Sequence, residues 1–383
     1  MKPMIYLDHS ATSWPKPQAV LDAMMAAMTS YGANPGRGAY AMALQAAREI
    51  YLAREVITTF FHGDHPQRLI FTNNTTQGVN FALKGLLQPG DHLLYSPLEH
   101  NAVWRPVTAL QEQGVETEMV PADEQGIIDL AALAARIKPN TKMIACVHAS
   151  NITGAIQPVA EIGALARAHD LLFLVDAAQS AGILPIDVQA MQIDLLAAPG
   201  HKGLYGPMGT GILWVGPRAE HIRPILQGGT GSKSLEPHQP EAFPDRLECG
   251  TLNLAGIAGL RAGVEWLQQQ GMEQIHHQLM ENTQYLLQGL AEIPGLTVYG
   301  PPVGVPRTTL VSVNLAGMSS NELAFALDQE YGIAVRAGFH CSPLGHRQMG
   351  TLAEGAVRFS LGTATTRADL DAAIQAMQAL AKE

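Results

Sequence analysis

Seven short apolar runs constrain this chain more than any other feature: RLIFT, DHLLYSP, VETEMVPA, KMIACVHAS, LLFLVDAA, DLLAAPG and GILWVG. Between several of them lie Ala- and Leu-rich stretches such as VAEIGALARAHD, with apolar residues at helical spacing. Strands apolar on both faces and joined by helices predict an α/β fold: a mostly parallel seven-stranded sheet with helices on both faces. After LECGTLN the pattern changes to one long helical region, from about Leu254 to Leu290. TLVSVNL, a helix near Asn321 to Tyr331, GIAVRAG and a C-terminal helix from Arg367 follow. This predicts a smaller α+β domain. At 383 residues the chain exceeds the usual size of one hydrophobic core. The expected division is a large domain over residues 16–262, with residues 1–15 and 263–383 forming the small one.

Composition narrows the setting. A chain 47% apolar and 15% charged is packed rather than disordered. Its net charge of -10 disfavours nucleic acid, which selects a basic face. Cys146, Cys249 and Cys341 form no CxxC pair, which points to a reducing compartment. The start MKPMIYLDHS lacks the apolar stretch of a secretion signal, and no run reaches the roughly 18 apolar residues of a membrane span. A cytoplasmic protein without membrane or nucleic-acid partners is expected.

In open parallel sheets, ligands bind beyond the carboxyl ends of the strands. There LLFLVDAAQS delivers Asp176 and Gln179, and KMIACVHASNITG delivers Asn151. DLLAAPGHK delivers His201 and Lys202, followed by four glycines within nine residues. RLIFTNNTTQG turns from a strand into a helix whose first turn holds Thr75, Thr76 and Gln77, where free N–H groups and the helix dipole favour a phosphate. An anion cradle, a carboxylate, an amine and several amides therefore share one edge. That set fits pyridoxal 5'-phosphate, which requires a lysine, a carboxylate for its pyridine nitrogen, phosphate donors and a flat group against its ring. Lys202, Asp176, the Thr76/Gln77 turn and His100 of SPLEHNAVW fill those four roles.

Other motifs read more plainly. GPMGTG is followed by a strand rather than a helix, so it is no dinucleotide loop. His62, Asp64 and His65 of HGDH read as a solvated turn, and no metal site is expected. Cys146 lies inside an apolar strand and Cys249 beside GTLN, whereas Cys341 occupies a polar loop with His340 and His346 as neighbours. A loop of that kind suits a reactive thiol. Arg358 of GAVRFSLG carries the planar fork that grips a carboxylate.

Taken in order, YLDHSATS, TNNTTQGVN, LEHNAVW, HASNITGAIQPV, FLVDAAQSAG, GHKGLYGPMGTGILWV, GTLN and VRAGFHC resemble the cysteine desulfurases and selenocysteine lyases of the class V aminotransferase family, with the type I pyridoxal phosphate fold. The resemblance runs nearly end to end. It implies that Lys202 bonds covalently to the cofactor, Asp176 pairs with the ring nitrogen, Asn151 and Gln179 contact the ring hydroxyl side, and His100 stacks on the ring. Thr76, Gln77 and His201 would hold the phosphate, Arg358 the substrate carboxylate with Asn151 beside it, and Cys341 would receive the sulfur. One position departs from the pattern: family members often carry Ser where Pro199 stands, and proline offers neither hydroxyl nor N–H. Thr230 or Ser232 from a partner subunit is the expected substitute donor. The short stretch from Cys341 to Arg358 resembles the family's short-loop group.

The implied reaction converts L-cysteine to L-alanine in a homodimer, with sulfur held on Cys341 as a persulfide. An acceptor protein or thiol takes it onward, toward iron–sulfur clusters or thio-cofactors. L-selenocysteine is the alternative substrate, and a C–S lyase or aminotransferase of the same family the alternative activity.

Overall fold

A computed structural model describes residues 4–36 and 38–382. The outermost residues of the expected small domain, 1–3 and 383, lie outside them. Strand β1 (Ile5–Tyr6) precedes helices α1 (Gln18–Thr29) and α2 (Ala41–Phe60). Then come β2 (Leu69–Thr72), α3 (Thr75–Leu86), β3 (His92–Tyr95), α4 (Asn101–Glu112) and β4 (Glu116–Met119). They are followed by α5 (Leu130–Ala135), β5 (Thr141–Val147), α6 (Val159–Ala168), β6 (Leu172–Asp176), β7 (Leu195–Pro199) and β8 (Gly211–Val215). β2 to β8 form the seven-stranded sheet, in the order β2-β8-β7-β6-β5-β3-β4. Six of the seven strands fall within one of the seven apolar runs, and β5 begins one residue before KMIACVHAS. β8 alone opposes its neighbours β7 and β2; the other pairings are parallel.

Alternation along the central strands shows why the sheet is covered twice. Phe173 and Val175 of β6 enter one apolar core, together with residues of α2 and α6. Leu172 and Leu174 enter a second, with residues of α3 and α4. A side-chain period of two sends neighbours to opposite faces, so both faces require apolar residues.

The remainder comprises α7 (Leu254–Gln270), α8 (Met272–Ala291), β9 (Leu296–Tyr299), β10 (Leu310–Leu315) and α9 (Ser320–Tyr331). β11 (Ile333–Ala334), β12 (Arg336–Gly338), α10 (Pro343–Met349), β13 (Ala356–Ser360) and α11 (Arg367–Leu380) complete it. The helical region expected over Leu254 to Leu290 is two helices. Gly271, at φ 83, ends α7 with its N–H on the Leu267 carbonyl, a backbone angle that an L side chain resists. Ile275 and Leu279 of α8 pack into the first core, while Leu286, Leu287 and Leu290 pack with Val311, Phe359 and Leu370 in a third. A single helix thus links the two cores.

GIAVRAG likewise divides. β11 pairs with β1, and β12 joins the antiparallel sheet β12-β13-β10-β9. Leu7 is fully buried in the third core, so the N-terminal segment packs with the C-terminal part of the chain.

Candidate active site

The carboxyl edge of the large sheet encloses a cavity of about 220 Å³ lined by Thr75, Thr76, His100, Asn151, Asp176, Gln179, Pro199, His201 and Lys202 among others. Asp176 ends β6, and Pro199 ends β7 two residues before His201. Register pairs Asp176 with Val147, a further cavity residue, and with Ala197. The strand ends thus bring together residues far apart in sequence.

The glycines after Lys202 permit close packing. A Cβ on Gly203 would stand 2.2 Å from the Ala181 carbonyl oxygen, and one on Gly182 2.2 Å from the Gly203 carbonyl oxygen. The Lys202 turn is therefore pressed against the turn that follows Asp176. From the N-terminal segment, Ser13 Oγ donates to the Lys202 carbonyl at 2.9 Å.

Each side chain is held by local chemistry. His100 caps α4, its Nδ1 accepting from the Ala102 N–H at 3.0 Å, which leaves the proton of the neutral ring on Nε2. Asp176 accepts from the Ala178 N–H at 2.9 Å. Gln179 Nε2 donates to the Ser10 carbonyl at 3.1 Å, and Asn151 Nδ2 to the His340 carbonyl at 2.8 Å. Asn74 caps α3, accepting the Gln77 N–H at 3.0 Å, so Thr75 and Thr76 head the helix with N–H groups that have no carbonyl within it.

The charged groups around the cavity are mostly basic: Lys202, Lys16, Arg105, Arg336 and Arg358 against Asp176 and Asp8. Burial and the neighbouring Arg358 bring Lys202 down to about 8. Burial, Lys202 and three arginines hold His100 at about 4, and burial with Lys202 and Lys16 holds His201 at about 4. Both imidazoles are neutral at pH 7. Burial pushes the Asp176 carboxyl above its ordinary range, against the Ala178 N–H and Lys202. A cationic ring nitrogen beside Asp176 would relieve that cost.

These features fit pyridoxal phosphate. Thr75 Oγ1 and His201 Nδ1 are buried without hydrogen-bond partners among the described residues, as groups awaiting a ligand would be. Lys202 is a half-buried amine lowered to about 8, and the head of α3 suits an anion.

Several expected residues lie elsewhere. Gln77 turns away from the cavity: its Oε1 accepts the Asn73 N–H at 2.7 Å, while Asn74 takes its own N–H. Thr230 and Ser232 lie outside the cavity, on an exposed loop lining a groove of about 940 Å³. Arg358 is buried on β13, donating to Asp8 Oδ1 at 2.9 Å and to the Asn151 carbonyl at 3.0 Å. Cys341 is exposed, Cys146 buried and Cys249 half-buried. His62 and His65 are largely exposed, and no group of three or more His, Cys, Asp or Glu among the described residues is arranged to hold a metal.

Sequence reasoning missed Asp8 and Asn74. Asn74 was open to discovery, as an Asn preceding a helix start. Asp8 left no local signal, because its partner is 350 residues away.

Comparison with known proteins agrees with this geometry. The family model described as aminotransferase class-V matches residues 5–373. A probable cysteine desulfurase of Methanothermobacter thermautotrophicus is 36% identical over 342 residues, covering 88% of this chain and 84% of the relative. A cysteine desulfurase of Yersinia pestis is 34% identical over 393 residues, covering 100% and 94%. The apo cysteine desulfurase structure from Thermococcus onnurineus superposes with a TM-score of 0.93 at 31% identity, covering 99% of this chain and 95% of the other. One from Escherichia coli gives 0.87 at 29% identity, covering 99% and 95%. With the fold, the cavity and the relatives in agreement, the chain belongs to the class V aminotransferase family and, within it, to the cysteine desulfurases.

Proposed function

We propose that this chain uses pyridoxal phosphate, held at Lys202, to convert L-cysteine to L-alanine while its sulfur passes to Cys341 as a persulfide. One observation carries the reading. Asn151, a wall of the Lys202 cavity, holds the carbonyl of His340, the residue before Cys341. That bond keeps the thiol-bearing turn beside the cavity.

The bound cofactor would supply an electron sink for chemistry at the substrate Cα. Lys202 would hold it covalently, and the Lys202 amine would carry the Cα proton, a role suited to a value of about 8. Asp176 would balance the ring nitrogen, and His100 would lie against the ring. Thr75, Thr76 and His201 take the phosphate. Arg358, oriented by Asp8 and the Asn151 carbonyl, grips the substrate carboxylate. Cys341 accepts sulfur and hands it to a thiol or acceptor protein, with iron–sulfur cluster assembly as the destination. The relatives, named cysteine desulfurases, favour sulfur over selenium and desulfuration over the lyase and aminotransferase readings.

We further propose a cytoplasmic homodimer. Leu21, Met25 and Met28 of α1 are exposed together with Tyr40, Met42, Leu44 and Tyr51 at α2, an apolar set that a second copy would cover. The dimer would present Thr230 or Ser232 to the phosphate of the partner's site. No helix among the described residues is long and apolar enough to cross a membrane.

Product analysis tests the reaction. The native protein with L-cysteine should yield alanine, and Cys341→Ala should lose that product while retaining the cofactor's absorbance. Pyruvate and ammonia in place of alanine would assign a lyase, and alanine at the native rate from Cys341→Ala would remove Cys341 from the mechanism. L-selenocysteine assayed in parallel reads the chalcogen preference.

A further inference from the structure

Two adjacent residues of the thiol-bearing turn lie in the left-handed region, His340 at φ 50 and Cys341 at φ 53. Residues with a Cβ seldom rest there, and they do so where surrounding structure holds them. The turn supplies part of that hold. The Ser342 N–H bonds the Phe339 carbonyl at 2.9 Å, and His340 Nε2 lies 3.2 Å from the Arg336 carbonyl. The carbonyls of the two left-handed residues themselves are held from the large domain. The Asn101 N–H donates to the Cys341 carbonyl at 2.8 Å, and Asn151 Nδ2 to the His340 carbonyl at 2.8 Å.

Both donors belong to elements that build the cofactor cavity. Asn101 is the first residue of α4 and follows His100, so its N–H has no use inside the helix and is free to point outward. Asn151 lines the cavity, and its own carbonyl takes Arg358 Nη1 at 3.0 Å. His100, Arg358 and the thiol-bearing turn are therefore tied to two short backbone segments.

We propose that the Asn101 N–H and the Asn151 side-chain amide act as a two-point clamp that positions the Cys341 thiol relative to the cofactor cavity. Both are positioning residues for sulfur transfer, an inference that rests on Cys341 being the acceptor. A reacting atom displaced by about 1 Å costs as much as about 100-fold in rate. Thiol exposure alone leaves that position unspecified.

Asn101→Pro is a direct test, because it removes the N–H and sets the proline ring against the Cys341 carbonyl, so the turn must give up its present position. The first position of a helix accepts proline, because the ring's fixed φ is helical and the missing N–H makes no helical bond. His100 already has the extended backbone that a following proline demands, φ -72 and ψ 159. Asn101→Ala retains the N–H and controls for the lost side chain.

With cofactor-loaded protein, Asn101→Pro should lower kcat for alanine by about tenfold or more. KM and the visible absorbance should stay unchanged. Hydrogen exchange over residues 339–343 should rise by about fivefold or more, the loss of one hydrogen bond together with displacement of the Cys341 carbonyl. Asn101→Ala should remain within about twofold of the native protein on every measure. Asn151→Asp, which removes the other donor, should also accelerate exchange in the turn.

Native kcat and exchange in Asn101→Pro, with Cys341→Ala inactive, overturn the clamp and leave the Cys341 reading intact. A loss of absorbance shared by Asn101→Pro and Asn101→Ala overturns it too, by assigning Asn101 to the cofactor. If Cys341→Ala retains alanine formation, the acceptor reading fails separately, and unchanged exchange in Asn101→Pro and Asn151→Asp then refutes the clamp.

Discussion

Arg358 and Asp8 stand 350 residues apart in sequence and meet at 2.9 Å, their side chains 1% and 20% exposed. The pair joins β13 to the segment following β1. Asp8 supplies the countercharge that lets a guanidinium remain charged in the interior, where burial brings Arg358 down to about 10.

Removing that countercharge should cost more than one hydrogen bond. Asp8→Asn leaves Arg358 buried without an anion and should destabilise the fold by about 3 kcal/mol, read as a lower urea midpoint. Arg358→Lys keeps the charge but loses the planar fork, so amino-acid binding should weaken while the cofactor's absorbance holds. A changed absorbance in the free Arg358→Lys enzyme would place the arginine on the cofactor.

Lys202 should carry the cofactor. Borohydride reduction followed by peptide mapping should recover the label on the peptide containing GHKG, and Lys202→Ala should be colourless after dialysis. Label on Lys16, the other lysine brought down to about 8 by burial, would refute the assignment.

Asp176→Asn preserves shape and removes charge. The N–H of Ala178 still finds an oxygen acceptor, so the fold should persist. Alanine formation should fall by about 100-fold or more, because the lost interaction acts on charge developing in the reaction. A rate within tenfold of native would show that another group balances the ring nitrogen.

Glu99 provides a test with pH. Its Oε1 accepts from Ser96 Oγ at 2.6 Å and the Val147 N–H at 2.7 Å, while Oε2 is buried without a partner. Burial pushes this carboxyl from 4.5 up to about 8, with Asp176 adding to the rise. The folded state thus holds a proton that the unfolded state releases, and wild-type stability should fall as pH rises from 4.5 through 8. Glu99→Gln lacks that titration. Its melting temperature relative to wild type should climb across the same window, and parallel curves would mean that Glu99 is ionised in the fold.

The sequence by itself determined the seven-stranded sheet, because strands apolar on both faces have few other ways to satisfy their surfaces. It also placed Lys202, Asp176, Asn151 and His201 on one edge, since parallel strands deliver their carboxyl ends to the same side. Gln77 shows the limit: its position in the first turn of α3 was legible, but a competing bond to Asn73 decided where its side chain went. Only the tertiary structure paired Asp8 with Arg358, split the long helical region at Gly271 and set the Cys341 turn against Asn101 and Asn151. Local periodicity reports which face of an element is buried. Contacts between distant segments depend on how the elements pack, and backbone donors such as the Asn101 N–H, present at almost every residue, leave no mark in the sequence.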